Sequence, residues 1–209
     1  MTATLAIDSL DLAALLCSRV CHDLISPVGA IVNGLEVYEE DNDEATKTFA
    51  LELIKKSAKS ASARLQFCRL AFGAAGSAGA EIDLGDAENM ARGFIEDDKV
   101  RLAWNLPRLL LPKNRVKLLL NMLIIAGQTI PRGGALTVDP VGTGAAMAFR
   151  IAAAGLNARV PQAVPGLLAG GASIDAHAIQ PYYTGLLARS CGLTVTVTTE
   201  DDAVVVQAG

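Results

Sequence analysis

Over the first third of the chain the apolar residues recur at helical spacing; beyond it they fall into short alternating runs. Asp8 and Ser9 are both good N-cap residues, and Leu12, Leu16, Val20, Leu24, Ile31 and Leu35 follow as one stripe, which predicts a helix running to about Glu40. The cluster Glu40-Asp41-Asn42-Asp43 predicts a tight polar turn, with Asp43 capping a second helix from Glu44 to about Phe72. Its stripe is Leu51, Ile54, Ala58, Leu65 and Leu70. A lone hairpin cannot cover both stripes, so the pattern predicts two hairpins paired as a four-helix bundle in a homodimer. The run Gly73–Ala80 holds only Gly, Ala and Ser and reads as a linker, dividing a helical hairpin (residues 1–76) from a second domain (80–209).

In the second domain the spacing predicts a helix over Leu84–Glu96, a strand over Val100–Asn105 and a helix over Lys113–Ile130 opened by Pro112. Two strands, Ala135–Asp139 and Ala145–Ala152, flank the turn Pro140–Gly144. The segment Pro161–Ala169 is weakly defined, and a helix from about Ala176 to Cys191 is stopped by Gly192. Leu193–Thr199 and Ala203–Gln207 close the chain as a hairpin across Glu200-Asp201-Asp202. Helices over one face of a mixed sheet make this part an α/β sandwich, and the whole an α+β fold.

Composition narrows the partners. Acidic side chains number 22 against 18 basic ones, a formal charge of -4, so no broad positive field exists for nucleic acid or an anionic membrane. Apolar residues make up 51%, enough for a real core, and only 4% are aromatic, so that core is aliphatic. The N-terminal stretch carries Asp8 and Asp11 and lacks the basic region of a secretory signal. The apolar run Val116–Ala126 is interrupted by Lys117 and Asn121 and is too short to cross a bilayer. Four cysteines without a signal suit reduced thiols, and the expectation is a soluble cytoplasmic protein.

Of the two histidines, His22 has the position for chemistry. At 100° per residue Val20, Leu24 and Ile31 point away from it, while its own face carries Ser18, Arg19, Ile25, Ser26 and Gly29. The imidazole should therefore meet solvent, neutral enough at physiological pH to act as a nucleophile. Asp23 can take or steer the proton on its other nitrogen, and Arg19 can offset charge on a transferring phosphoryl group. Pro27 removes a helical N–H, so a kink is expected just after the histidine. The plainer alternative is an incidental surface histidine.

The run His22-Asp23-x-x-Ser26-Pro27 resembles the phosphoacceptor box of sensor histidine kinases, and the helical hairpin resembles their dimerisation and phosphotransfer domain. The second domain is similar to their ATP-binding domain, with Asn121 in the first position of the N box. It departs from that pattern at Ile125, in the second asparagine position, and at Ala152-Ala153-Ala154-Gly155, where an acidic box should stand. No glycine lies between Gly171 and Gly185 to form a phosphate loop. ATP binding should be lost, leaving no cofactor on this chain.

Over essentially its full length the chain resembles the alphaproteobacterial histidine phosphotransferases. That resemblance implies a relay in which His22 takes phosphate from the receiver of a CckA-type hybrid kinase and passes it to CtrA-type and CpdR-type response regulators, controlling the cell cycle. Magnesium would belong to the receiver. Ser26 holds the position kinases use for phosphatase action. The expected docking residues are Ile25, Gly29, Lys55, Lys56, Lys59 and Arg64, the basic ones meeting an acidic rim; each is otherwise an ordinary solvated position. A non-catalytic dimeric adaptor and a conditional kinase are the competing readings. Cys17 and Cys21 are expected to be small core residues, with no metal site. His177 is expected at the surface, Trp104 in the core, and Gly142 and Gly144 in a hairpin turn.

Overall fold

The computed structural model describes residues 7–73, 80–171 and 178–209. Two long antiparallel helices come first: α1 (Ser9–Glu40) and α2 (Glu44–Ala71). Their ends are fixed by carboxylate caps. Asp8 accepts from the Leu10 N–H at 2.8 Å, and Asp43 from Thr46 at 2.9 Å, which satisfies amides that a helix start leaves orphaned. A three-residue turn, Asp41–Asp43, joins the helices, and both helix boundaries agree with the spacing. Helix α1 runs unbroken through Pro27, which is buried. The helices approach closely at Gly34, where a Cβ would stand 2.8 Å from Ile54 Cγ1.

The expected linker falls mostly on residues 74–79, outside the described residues. Beyond it lie β1 (Glu81–Asp83), α3 (Leu84–Ile95), β2 (Val100–Trp104), β3 (Leu110–Pro112), α4 (Lys113–Gln128), β4 (Gly134–Val141) and β5 (Ala148–Ala154). Then come a short α5 (Val164–Leu168), α6 (Ile179–Ser190), β6 (Val195–Glu200) and β7 (Ala203–Ala208). The antiparallel pair β1–β3 was not expected, because three-residue strands carry no readable period. A five-stranded mixed sheet runs β2-β4-β5-β7-β6, with β2 parallel to β4 and every other pair antiparallel. Rows such as Leu102–Leu136–Ala153–Val204 are buried on one face, where α4 and α6 pack; the opposite face carries Arg101, Thr137, Arg150 and Thr198. This is the α+β architecture the pattern predicted.

Several boundaries differ from expectation. Strand β4 continues through Pro140 to Val141, because β2 ends opposite Val138 and leaves no partner needing the missing proline N–H. Residues Gly144–Ala146 form a 3₁₀ turn, so β5 starts at Ala148. Helix α6 begins at Ile179; its expected start at Ala176, and His177, lie outside the described residues.

The core sits under α4, where every residue from Val116 to Ala126 is buried. By contrast α1 buries only Pro27 and Gly34. The hairpin is held to the sandwich chiefly through α2, whose Phe67 stacks on Phe94 of α3 with ring centroids 4.0 Å apart, with a smaller contact between α1 and α6.

Candidate functional site

Helix periodicity places His22 on the outer face of α1, and its side chain is 70% exposed. The neighbouring Asp23 turns the other way, toward the seam with α2, and is 8% exposed. Its two oxygens are divided: Oδ2 accepts from Arg19 Nε at 3.2 Å, and Oδ1 lies 3.6 Å from His22 Nδ1. His22, Asp23 and Arg19 therefore form one cluster, as the sequence suggested, with Ser26 exposed one turn further on. Ile25 is exposed and Gly29 has nothing within 4 Å of a notional Cβ, so both leave room beside the imidazole.

The candidate docking cations are less gathered. Lys55 and Lys59 share a face of α2, Lys56 lies about 100° round from Lys55, and Arg64 is on the opposite side. Lys55 is paired with Glu52 at 2.9 Å, and Lys56 reaches Asp98 at 3.9 Å. Arg64 lies over the Phe94 ring, 5.4 Å from its centroid, and donates to Ser60.

Cys17 and Cys21 correct an expectation: both are exposed, not core. They belong to a second stripe of α1, continued by Leu10, Ile25, Val28, Val32 and Leu35, all exposed and apolar. Positions 10, 14, 17, 21, 25, 28, 32 and 35 carry no charge, and the stripe lies a quarter-turn or more away from the α2-facing side. By length and composition alone α1 could cross a bilayer, although the Arg19–Asp23 pair and His22 sit in its middle. No group of three or more His, Cys, Asp or Glu side chains able to hold a metal occurs among the described residues.

Cys68, on α2 below this cluster, is different in kind. Burial, and next the negative charge of Asp23, push its thiol up to about 11, against the opposing influence of Arg19 and Arg64. At pH 8 iodoacetamide should spare Cys68 until the chain is unfolded, whereas Cys17 and Cys21 are covered only by whatever meets the outer stripe of α1 and should alkylate readily once that stripe is bare. Mass spectrometry of the alkylated protein checks this. Equal labelling of all three would show that the α1–α2 seam opens at the level of Asp23. The same shift lowers stability between pH 9 and 11, where the unfolded chain has lost a proton that the folded chain still holds.

The N-box position tells a further story. Asn121 is fully buried, and its Nδ2 donates to Ala71 O at 2.9 Å and to Lys117 O at 2.8 Å. Its Oδ1 accepts from Gln180 Nε2 at 2.7 Å. Lys117, 5% exposed, donates to Gly73 O at 2.9 Å and sits over the Tyr183 ring. Two side chains of α4 thus take carbonyls that the end of α2 leaves unpaired. The sequence reading found Asn121 but missed Lys117 and Gln180, which nothing local marks.

An exposed imidazole backed by an acid on a helical hairpin, joined to an α/β sandwich, is a layout suited to carrying a phosphoryl group. Residues 84–203 match the family described as histidine phosphotransferase C-terminal domain. The chain is 52% identical over 206 residues to protein phosphotransferase ChpT of Brucella abortus (strain 2308), covering 96% of this chain and 97% of that one. A solved bacterial phosphotransferase superposes with a TM-score of 0.88 at 47% identity, over 99% of each chain. The chain belongs to the histidine phosphotransferase family, and it is a protein phosphotransferase.

Proposed function

We propose that this chain relays a phosphoryl group between receiver domains through His22. The observation that carries the reading is the outward, 70% exposed imidazole with Asp23 3.6 Å from its Nδ1, which makes Nε2 the nucleophile. In the forward step Nε2 attacks the phosphorus of an aspartyl phosphate in line. The N–P bond forms as the P–O bond to the aspartate breaks, and the carboxylate stays on the receiver. The second receiver's aspartate reverses this geometry. Magnesium sits in the receiver's acidic pocket, and its charge offsets the equatorial oxygens of the transferring group. Receivers of the CckA, CtrA and CpdR types, and a role in the cell cycle, are the partners and setting we assign. Ile25, Gly29 and the α2 cations Lys55, Lys56, Lys59 and Arg64 border the docking surface, and Ser26 stands where water could be steered in hydrolysis.

The chain binds no nucleotide in this reading. Asn121, the residue placed to help hold metal and nucleotide, has both amide ends committed to protein groups, and Ile125 offers no second amide. The site of action is the cytoplasm. The working unit is a homodimer, in which the uncharged stripe from Leu10 to Leu35 meets its copy across a two-fold axis, and sedimentation at micromolar concentration should report two chains.

The deciding experiment mixes the chain with a radiolabelled receiver phosphate. Label should move to this chain in an acid-labile, base-stable form that maps to His22. Tight receiver binding without any transferred label would make the protein an adaptor; label from ATP alone would make it a kinase.

A further inference from the structure

Arg19 was expected to meet the phosphoryl group, but its geometry turns it elsewhere. Its side chain is 15% exposed against 70% for His22, and its Nε is spent on Asp23 Oδ2 at 3.2 Å. The two residues stand four apart on one helix, so the backbone itself brings them together. Both members of the pair are largely buried, 15% and 8% exposed, whereas the imidazole points into solvent. The carboxylate is thereby shared between two neighbours with one oxygen each. A carboxylate's terminal torsion is soft, so an Asp23 without Arg19 would present either oxygen, or neither, to the ring.

We propose that Arg19 is a positioning residue: by holding Oδ2 it fixes the Asp23 carboxylate so that Oδ1 takes the Nδ1 proton of His22, leaving Nε2 as the attacking atom. This rests on His22 being the phosphoacceptor. The 3.6 Å separation of Nδ1 and Oδ1 is longer than a hydrogen bond, and the proposal requires it to shorten when a partner docks, as catalytic contacts in unliganded proteins do. Which ring nitrogen carries the proton is set by what the other nitrogen meets, so the arginine acts on reactivity without touching the reacting atoms. Its guanidinium also offsets the charge of a carboxylate held nearly out of water.

The test combines a spectroscopic and a kinetic measurement. Nitrogen-15 spectra of the neutral imidazole should show mainly the Nδ1–H form in the unsubstituted protein, a shift toward Nε2–H in Arg19→Gln, and recovery in Arg19→Lys, which keeps the charge. Initial transfer from a phosphorylated receiver should fall about tenfold in Arg19→Gln and about as far in Asp23→Asn. The double variant should be no slower than Asp23→Asn alone, because both changes break one device. Losses that multiply would place Arg19 on the phosphoryl group and overturn the proposal. So would an unchanged tautomer in Arg19→Gln, or an Arg19→Lys as impaired as the glutamine variant. Should Arg19→Gln fail to keep its helical circular dichroism, Arg19→Lys and Asp23→Asn still decide through the tautomer. If the unsubstituted protein takes no label, the relay reading fails, while the tautomer measurement continues to judge Arg19.

Discussion

Replacing His22 with alanine is expected to reduce phosphoryl acceptance by at least about a thousand-fold while leaving the fold unchanged. The expectation follows from exposure. The imidazole is mostly in water and sits on a helix that buries only Pro27 and Gly34, so its removal leaves no cavity. Alanine also has the higher helix propensity, and α1 should be no less stable for the change. Nothing nearby can stand in as nucleophile. Ser26 has a hydroxyl of low nucleophilicity, and a phosphate on Cys21 would be chemically distinguishable from one on histidine. The measurement is label transfer from a phosphorylated receiver, run beside circular dichroism and sedimentation of the same preparation. A well-folded, dimeric His22→Ala that still takes the label at the normal rate would eliminate the mechanism.

The second large effect is on stability. Asn121→Leu should lower the unfolding free energy by about 2–4 kcal/mol. The substitution removes both donations from Nδ2 and the acceptance from Gln180; it leaves Ala71 O without a partner and Gln180 Nε2 with only its longer contacts, to the residue-121 carbonyl at 3.4 Å and Thr184 Oγ1 at 3.5 Å. Gln180 already carries one buried oxygen without a partner, so the network has no slack to absorb the loss. Leucine fills a similar volume, which keeps the result a test of the hydrogen bonds and not of a cavity. Urea unfolding monitored by circular dichroism measures it, with an unchanged m-value as the sign that the same surface unfolds. A loss under about 0.5 kcal/mol would mean that the Asn121 hydrogen bonds contribute little to holding the end of α2. The activity readout matters as well: a chain destabilised this way should still accept label at low temperature, since Asn121 lies outside the transfer chemistry.

Much of this architecture could be read before any coordinates. The helix starts were legible because Asp8 and Asp43 are strong caps, and the exposure of His22 because the period of the flanking aliphatic residues leaves it on the far face. The strands β2, β4, β6 and β7 follow from alternation and turn residues. What could not be read are relations between distant positions. Glu81–Asp83 meets Leu110–Pro112 across nearly thirty residues, and Gln180 meets Asn121 across fifty-nine. The misplacement of Cys17 and Cys21 has another cause. A helix with two apolar faces does not announce which one its own chain will cover, and the smaller side chains were assigned inward when they point outward. Arg19 is a mixed case: its spacing to Asp23 was visible, yet only the folded geometry shows that its Nε is engaged by Asp23.

The contrast between α4, buried for eleven consecutive residues, and α1, with two, sets how the molecule breathes. Backbone amides of α4 should be the last to trade deuterium with solvent, opening only when the whole domain does, whereas those of α1 answer to whatever lies against its outer stripe. In the proposed dimer the helix that carries the phosphoacceptor is thus the part whose rigidity is on loan from its copy, and phosphate traffic becomes a matter of how crowded the solution is with its own kind.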